Sequence, residues 1–211
     1  MKKYAMTISA LLLASPGLIL IVLGYRSAIL FIFSGLIISW GLIELYIALS
    51  KSFKGIAPSH PLIKVSRIYW VLFAIYSWFD FQFELTKVHL PFGILTILVL
   101  CYISALIIRI CSVIYLGPSF SYDVKKPKAK TFTCSGPYRF IRHPSYLGIC
   151  ILGSLPGIIL GSFVGFIGMM LTTMIVAILR TNFEDILLED SFGESFKKYK
   201  IRTYSMIPFV Y

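Results

Sequence analysis

Residues 144–180 read PSYLGICILGSLPGIILGSFVGFIGMMLTTMIVAILR and are apolar over nearly their whole length. Two apolar runs within them, residues 145–160 and 163–179, are separated only by Gly161 and Ser162. Runs of this length with a glycine between them predict a tight helical hairpin. A proline and a glycine interrupt the first run, so that limb either crosses a bilayer fully or turns back within it.

The rest of the chain continues the same pattern, with further apolar runs at approximately residues 5–24, 27–49, 67–85 and 91–115. Of the 211 residues, 58% are hydrophobic and 14% are charged, against about 45–50% and about 25% in soluble domains. This composition excludes a soluble enzyme, a disordered tail and a nucleic-acid-binding domain. It predicts an all-α polytopic integral membrane protein with about five to six transmembrane helices. We expect the first run to be a retained span, because Pro16 disrupts the cleavage pattern of a signal peptide.

The basic residues distinguish the two sides of the membrane. The chain has 20 Lys and Arg residues against 9 Asp and Glu, a formal charge of +11. With the N-terminus in the cytoplasm, all but Arg26, Lys87 and Arg109 fall on inner segments, as the positive-inside rule requires. We therefore expect both termini and the two polar segments that flank the hairpin to be cytoplasmic. Catalytic groups concentrate on loops held by a rigid scaffold, which places the catalytic region in residues 116–211, after N-terminal transmembrane helices in residues 1–115.

The polar segment before the hairpin, residues 134–148, reads CSGPYRFIRHPSYLG. Pro144 suits the first turn of a helix, where its missing N–H would have been unpaired. The other free N–H groups of that turn, and its positive dipole end, suit an anionic group such as a carboxylate. The alternative is an interfacial belt, in which tyrosine and arginine anchor the helix at the lipid headgroups. The local pattern leaves both interpretations open.

Ionisable residues lie at the end of the last apolar run and inside two others. Arg180 and Glu184 are four residues apart, so they share a helix face where they can pair or jointly hold a polar ligand. The alternative is an exposed ion pair worth about 0–1 kcal/mol, but a guanidinium at the end of an apolar helix favours a function. Glu44 and Arg109 either pair with each other or line a polar cavity. The basic, aromatic tail 196–202 predicts a membrane-surface helix bound to anionic headgroups.

Motifs for nucleotides, metals and disulfides are missing from the sequence. It has no glycine-rich dinucleotide loop and no phosphate loop with its lysine. His60, His89 and His143 are far apart, and no Cys/His pair has ligand spacing, so we expect no metal. The 4 cysteines are too few and too scattered for a disulfide framework, which predicts free thiols in a reducing environment.

Three ordered blocks in the second half form a more specific pattern. The first is Ser135-Gly136-x-Tyr138-x-x-x-Arg142-His143-Pro144-Ser145-Tyr146-x-Gly148. The second is Arg180-x-x-x-Glu184-Asp185-x-x-Leu188-x-x-x-Phe192-Gly193, and the third comprises Tyr199, Arg202, Pro208 and Phe209. Together they resemble the isoprenylcysteine carboxyl methyltransferase family, within the wider group of membrane methyltransferases that includes phospholipid methyltransferases. The resemblance covers approximately residues 105–211, and the first hundred residues match only in being membrane spans.

The resemblance implies an S-adenosylmethionine-dependent methyltransferase acting on a lipophilic carboxylate, above all a C-terminal prenylcysteine, with a cytoplasmic cofactor pocket capped by the C-terminal tail. Arg180 matches a substrate-binding arginine and Glu184 a cofactor-binding acid, so these two are the implied catalytic residues. The implied cofactor contacts are Lys130, Thr131, Phe132, Thr133, Tyr138, His143, Pro144, Ser145, Tyr146 and Glu184. Three positions depart from the family pattern: Asp185 replaces a usual Glu, Thr203-Tyr204 replaces a usual Val-Pro, and Lys130 replaces a common His.

Other functions share parts of this pattern. A phospholipid N-methyltransferase has the same fold and cofactor but takes an amine, which gains nothing from Arg180. A nicotinamide-dependent sterol reductase resembles the C-terminal region alone, in chains that are usually longer. A non-enzymatic membrane transporter would use Glu44 and Arg109 as its ion path. The resemblance favours the carboxyl methyltransferase, with the lipid bilayer and a prenylated carboxylate as partners and neither nucleic acid nor a metal.

Overall fold

The computed structural model describes residues 28–50, 61–121, 124 and 131–207. Its α-helices in chain order are α1 (Ala28–Ser50), α2 (Pro61–Phe83), α3 (Phe92–Leu116), α4 (Pro144–Ile159), α5 (Phe163–Phe192) and α6 (Glu194–Arg202). Short 3₁₀ turns lie at Gly117–Ser119 and Gly136–Arg139. Within these ranges two isolated bridges, Lys87 with Ser162 and Ile141 with Tyr204, are the only extended pairing. The predicted all-α class is confirmed for the described part of the chain.

Within the described ranges, three helices are long and apolar enough to cross a membrane: Ala28–Leu49, Phe92–Ser119 and Phe163–Phe192. Helix α2 is as long as α1 but carries Arg67 and Asp80, and α4 is apolar over only 16 residues. The predicted first span, residues 5–24, lies outside the described residues. The number of crossings therefore stays a prediction, while the integral membrane character is supported by the three long apolar helices.

The helices pack around the hairpin that α4 and α5 form. Helix α5 packs against α2 and α4, and α4 also packs against α3. Their shared core contains fully buried side chains from four helices, including Phe33, Tyr102, Leu152 and Met169. Large apolar side chains such as Phe92, which is 83% exposed, point outward. An outward apolar surface of this kind suits lipid contact.

The turn of the hairpin is as tight as its sequence predicts. Gly161 adopts a φ of +83°, a conformation that side chains rarely tolerate. The Ser162 hydroxyl then caps α5 by accepting a hydrogen bond from the Gly165 N–H at 3.2 Å. At Gly157, a Cβ atom would lie 2.5 Å from the backbone nitrogen of Phe166. The two limbs therefore approach as closely as backbones allow.

A buried carboxylate fixes the loop beside this turn. Asp80, near the end of α2, has no exposed surface and accepts hydrogen bonds from the Thr86 N–H at 2.5 Å and from the Thr86 hydroxyl. The Val88 N–H in turn donates to the Gly161 carbonyl at 2.7 Å. Glu84, which follows the last residue of α2, has a φ of 57° and turns the chain away from the helix axis. Asp80 is thus an internal cap of the loop between α2 and α3.

Two expectations concern the cysteines and the tail. All 4 cysteines of the sequence are free, as their scattered positions predict. The tail does form a helix, α6, while its binding to anionic headgroups stays a prediction; within this helix Phe196 is 1% exposed. Its ring packs against Phe132 at 5.5 Å and Tyr199 at 5.9 Å, because burial inside the protein competes with the membrane surface for the same apolar face.

Gly157→Ala should loosen the hairpin, because the added methyl group collides with the Phe166 backbone. We expect a loss of about 1–3 kcal/mol of stability, typical of overpacking, measured as a lower thermal unfolding midpoint in detergent. Gly35→Ala is the matched control, because a Cβ there meets nothing within 4 Å. Unfolding midpoints that fall equally in both variants would contradict the close approach of the two limbs.

Candidate active site

The loop before α4 is tied to its neighbours by the hydroxyl groups of two tyrosines, Tyr138 and Tyr199. The Tyr138 hydroxyl donates to the Ser112 carbonyl of α3 at 3.2 Å, and the Tyr199 hydroxyl of α6 donates to the Tyr138 carbonyl at 2.6 Å. Gly136 allows this course with a φ of +59°, where a Cβ would overlap the Tyr115 ring. Burial raises the pKa of both Tyr138 and Tyr199, so both phenols stay protonated donors at neutral pH.

At the end of this loop, Arg142 and His143 meet Asp185 of α5. The Arg142 Nε and Nη2 atoms lie 3.2 and 3.1 Å from Asp185 Oδ2, and His143 Nε2 lies 2.8 Å from Asp185 Oδ1. The three side chains are between 4% and 9% exposed. One carboxylate therefore fixes two adjacent residues of the loop, and we call this group the Asp185 network. In the sequence, Asp185 is a position of the second motif block where Asp replaces the usual Glu, and the local pattern does not reveal its partners.

The C-terminal segment closes against the same loop through its backbone. The Arg142 N–H donates to the Tyr204 carbonyl at 2.8 Å, and the His143 N–H donates to the Ser205 carbonyl at 2.8 Å. The Tyr204 N–H donates back to the Phe140 carbonyl at 3.2 Å. Arg142 Nη1 also donates to the carbonyls of Lys200 and Thr203. The tail is thus held in place beside the loop, from the end of α6 through Ser205.

On the other side of His143, three predicted site residues come together. Arg180 Nε donates to the Tyr146 hydroxyl at 3.1 Å, and its guanidinium lies 5.8 Å from the Tyr146 ring centroid. Glu184 Oε2 lies 3.8 Å from His143 Nδ1, and Glu184 also interacts with the Tyr146 hydroxyl. Glu184 is 34% exposed, whereas His143 is 4% exposed. Arg180 and Glu184 therefore share Tyr146, and Glu184 keeps an open side.

Inside the helical bundle, Glu44 and Arg109 form a bidentate ion pair. Arg109 Nε lies 2.8 Å from Glu44 Oε1, and Arg109 Nη2 lies 3.1 Å from Glu44 Oε2, with both side chains 2% exposed. The remaining arm, Nη1, donates to the hydroxyl of Ser145 in the first turn of α4. The Phe120 ring covers the guanidinium at 5.2 Å. The sequence left open whether Glu44 and Arg109 pair or line a polar cavity, and in the structure they pair.

The strip that the resemblance assigns to the cofactor is only partly described. Lys130 lies outside the described residues. The Phe132 ring packs against Phe192, Phe196 and Tyr199 at centroid distances between 5.1 and 5.5 Å. This packing explains how the strip 131–133 is held against α5 and α6. It also commits the Phe132 side chain to a structural role, which the sequence pattern did not reveal.

A cleft of about 570 Å³ opens beside the Asp185 network, on the side of the C-terminal segment. Its lining residues are Arg142, Asn182, Asp185, Ile186, Lys200, Thr203, Tyr204 and Ser205. None of the cofactor contacts implied by the sequence lines this cleft. Among the described residues, no three His, Cys, Asp or Glu side chains form a group suited to a metal ion.

Comparisons with known proteins identify similar sequences. The sequence profile of the isoprenylcysteine carboxyl methyltransferase (ICMT) family matches residues 96–190. The chain is 30% identical over 105 residues to protein-S-isoprenylcysteine O-methyltransferase of Schizosaccharomyces pombe, covering 49% of this chain and 44% of that protein. It is 27% identical over 146 residues to the Xenopus laevis enzyme of that name, covering 67% of this chain and 51% of that protein. The chain thus spans about half the length of the curated relatives it matches.

A solved structure shares the fold. The eukaryotic intramembrane Ras methyltransferase ICMT superposes with a TM-score of 0.66 at 22% identity, covering 94% of this chain and 73% of that chain. The matched profile contains the loop before α4, the hairpin, Arg180, Glu184 and Asp185. The resemblance drawn from the motifs is therefore confirmed.

Asp185→Ala should destabilise the protein and release its tail, because it leaves the buried Arg142 guanidinium without its carboxylate. Removing one partner of a buried pair costs about 3–5 kcal/mol. We expect a lower unfolding midpoint and faster proteolysis within residues 194–207. Glu189→Gln is the control, since its exposed pair with Lys200 at 3.4 Å is worth about 0–1 kcal/mol. Equal midpoints and cleavage rates in both variants would show that the network does not hold the tail.

Proposed function

We propose that this protein is an S-adenosylmethionine-dependent carboxyl methyltransferase that esterifies the C-terminal carboxylate of a prenylcysteine. The observation that carries the proposal is the meeting of Tyr146, Arg180 and Glu184 at the end of an apolar hairpin, within the stretch that matches the ICMT profile. The two curated relatives are named for this reaction. The product, a neutral methyl ester, makes the lipidated cysteine end less polar.

The residues fit the cofactor by the chemistry of their donors. S-adenosylmethionine carries a sulfonium and an ammonium group, and cations are stabilised by carboxylates and by aromatic faces. Glu184 offers its partly exposed carboxylate beside the Tyr146 and His143 rings, whose centroids are 5.9 Å apart. We assign Glu184, Tyr146 and His143 to the cofactor, with Tyr138, Pro144, Ser145 and the strip 130–133, apart from the Phe132 ring, as further contacts. When bound, the cofactor supplies an electrophilic methyl group.

Arg180 is the residue that we assign to the acceptor. A prenylcysteine carboxylate is already ionised, so the protein needs no base to activate it. Alignment of the reacting atoms and exclusion of water supply the rate enhancement. Tyr146 fixes the Arg180 guanidinium through Nε, and a forked guanidinium orients a carboxylate through paired hydrogen bonds. Arg180 thus turns a carboxylate oxygen toward the methyl donor.

The membrane arrangement follows from the same proposal. Helix α5 continues beyond its apolar part to Phe192 and carries Arg180 and Glu184 at the polar end. We place this end, and both chain termini, in the cytoplasm, as the distribution of basic residues favours. The prenyl group then enters from the bilayer, while the cofactor binds from the water side. Residues 116–211 form the catalytic region on the scaffold of the preceding helices.

The alternative functions receive less support from the described contacts. The transporter interpretation needs Glu44 and Arg109 as an ion path, but these two groups neutralise each other at 2.8 Å and are 2% exposed. An amine acceptor gains nothing from the guanidinium beside Tyr146. No specific contact favours the sterol reductase.

Arg180→Ala and Glu184→Ala should fold and insert but lose methyl transfer by at least about 100-fold, since each removes a group that aligns a reactant. The assay uses purified protein, S-adenosylmethionine labelled in the methyl group, and an S-farnesylcysteine analogue. Ester formation is read as volatile methanol released by base.

Glu189→Gln on the same helix is the matched control and should keep the wild-type rate, because the Glu189 carboxylate is engaged in an exposed pair with Lys200. Undiminished turnover in either alanine variant would remove that residue from the mechanism. Label recovered in phosphatidylethanolamine derivatives of a lipid extract, with none in base-labile ester, would overturn the carboxylate assignment. Calorimetry that detects no binding of S-adenosylhomocysteine to wild-type protein would overturn the enzyme proposal itself.

A further inference from the structure

The Glu44–Arg109 pair connects the candidate site to a helix that lies outside the matched family profile. Glu44 belongs to α1, which precedes the matched residues 96–190. Arg109 belongs to α3, and its third arm reaches Ser145 in the first turn of α4. Ser145 stands between His143 and Tyr146, both assigned above to the cofactor. The contacts therefore run from α1 through α3 into the site.

Stability alone is a poor reason for this pair. Transfer of two charges into a low-dielectric interior is costly, and well-packed apolar residues in their place are often equally stable. Ionisable residues within membrane-spanning helices are rare and mark functional positions. The two carboxylate oxygens of Glu44 hold Nε and Nη2, which fixes the plane of the guanidinium. Nη1 is thereby aimed at α4.

The donor and acceptor roles in this chain of contacts are set by chemistry. A guanidinium only donates hydrogen bonds, so the Ser145 oxygen must accept the bond from Nη1. The hydroxyl hydrogen of Ser145 must then point away from Arg109 Nη1. A hydroxyl that accepts from a cation is also polarised, which strengthens it as a donor. Ser145 lies in the first turn of α4, where the helix dipole favours an anion.

We propose that Glu44 and Arg109 are positioning residues that present the Ser145 hydroxyl as a donor to a carboxylate bound at the first turn of α4. This inference rests on the proposed function, which supplies two sources of that carboxylate: the amino-acid end of the cofactor and the prenylcysteine acceptor. Arg109 acts through Ser145. The site thus receives the Ser145 hydroxyl as an oriented, neutral donor. The positive charge of Arg109 is neutralised by Glu44.

The first test compares Ser145→Ala, Glu44→Gln and the variant that combines them, using intact purified protein. Loss of one hydrogen bond to a charged group should weaken binding roughly tenfold. A weaker Kd for S-adenosylhomocysteine, measured by calorimetry, identifies the cofactor carboxylate as the partner. A raised KM for the S-farnesylcysteine analogue at unchanged cofactor Kd identifies the acceptor. Either result supports the proposal.

The combined variant separates positioning from mere stability. If Glu44 acts through Ser145, the combined variant should bind no more weakly than Ser145→Ala alone, because the contact is already lost. Ser145→Thr, which keeps the hydroxyl, should restore binding. A merely structural role would instead lower the unfolding midpoint and leave both binding constants of the folded protein near the wild-type values. That outcome would overturn the proposal.

A second pair of variants covers the case in which Glu44→Gln does not fold. Glu44→Leu combined with Arg109→Met replaces the ion pair by apolar groups, which such sites often tolerate, and it should show the same roughly tenfold loss. Asp80→Asn is the matched control, because Asp80 is equally buried but contacts the loop at Thr86, and it should leave both binding constants unchanged. If the paired variant binds as tightly as the wild-type protein, the positioning role of Glu44 and Arg109 is refuted. If the wild-type protein itself fails to bind or methylate, the proposed function is refuted.

Discussion

The Asp185 carboxylate is the contact on which the candidate site depends. It binds Arg142 and His143 together, so it fixes the course of the loop relative to α5. The backbone N–H groups of these same two residues hold the C-terminal segment. Because α5 also carries Glu184 one residue away, the carboxylate sets the distance between Glu184 and His143. Asp185 therefore anchors the loop, helix α5 and the tail to one another, and a substitution at Asp185 should displace all three.

The helical frame could be predicted from the sequence because its causes are local. Each long apolar run predicts a helix, and the pair Gly161–Ser162 predicts the turn between two of them. Helices α3 and α5 accordingly begin within one residue of their predicted starts. The shared face of Arg180 and Glu184 follows from helical spacing alone. The apolar run ends at residue 179, and helix α5 continues to Phe192, as the helical face shared by Arg180 and Glu184 requires, because a helix continues into water where polar residues keep forming its backbone hydrogen bonds.

The contacts between distant segments could not be predicted in this way. Glu44 and Arg109 are 65 residues apart, and Arg142 and Asp185 are 43 apart, so no local period relates them. The free-energy cost of placing a charge in the membrane indicates that these ionisable residues need partners, but it does not indicate which residues the partners are. The buried position of Phe196 is a similar case. An amphipathic helix has an apolar face, yet only the rest of the fold decides whether protein or lipid covers it.

The departure of the tail from its family pattern has a physical account in the same network. Where the family usually has Val-Pro, this chain has Thr203-Tyr204, and the Tyr204 N–H donates to the Phe140 carbonyl at 3.2 Å. A proline has no N–H and could not make this bond. The bonds from the Arg142 and His143 N–H groups go to carbonyl oxygens of Tyr204 and Ser205, which every residue type possesses. The tail therefore combines contacts that any residue type could make with one that proline forbids, so Tyr204 adds a backbone hydrogen bond at the position where the resemblance implies a proline.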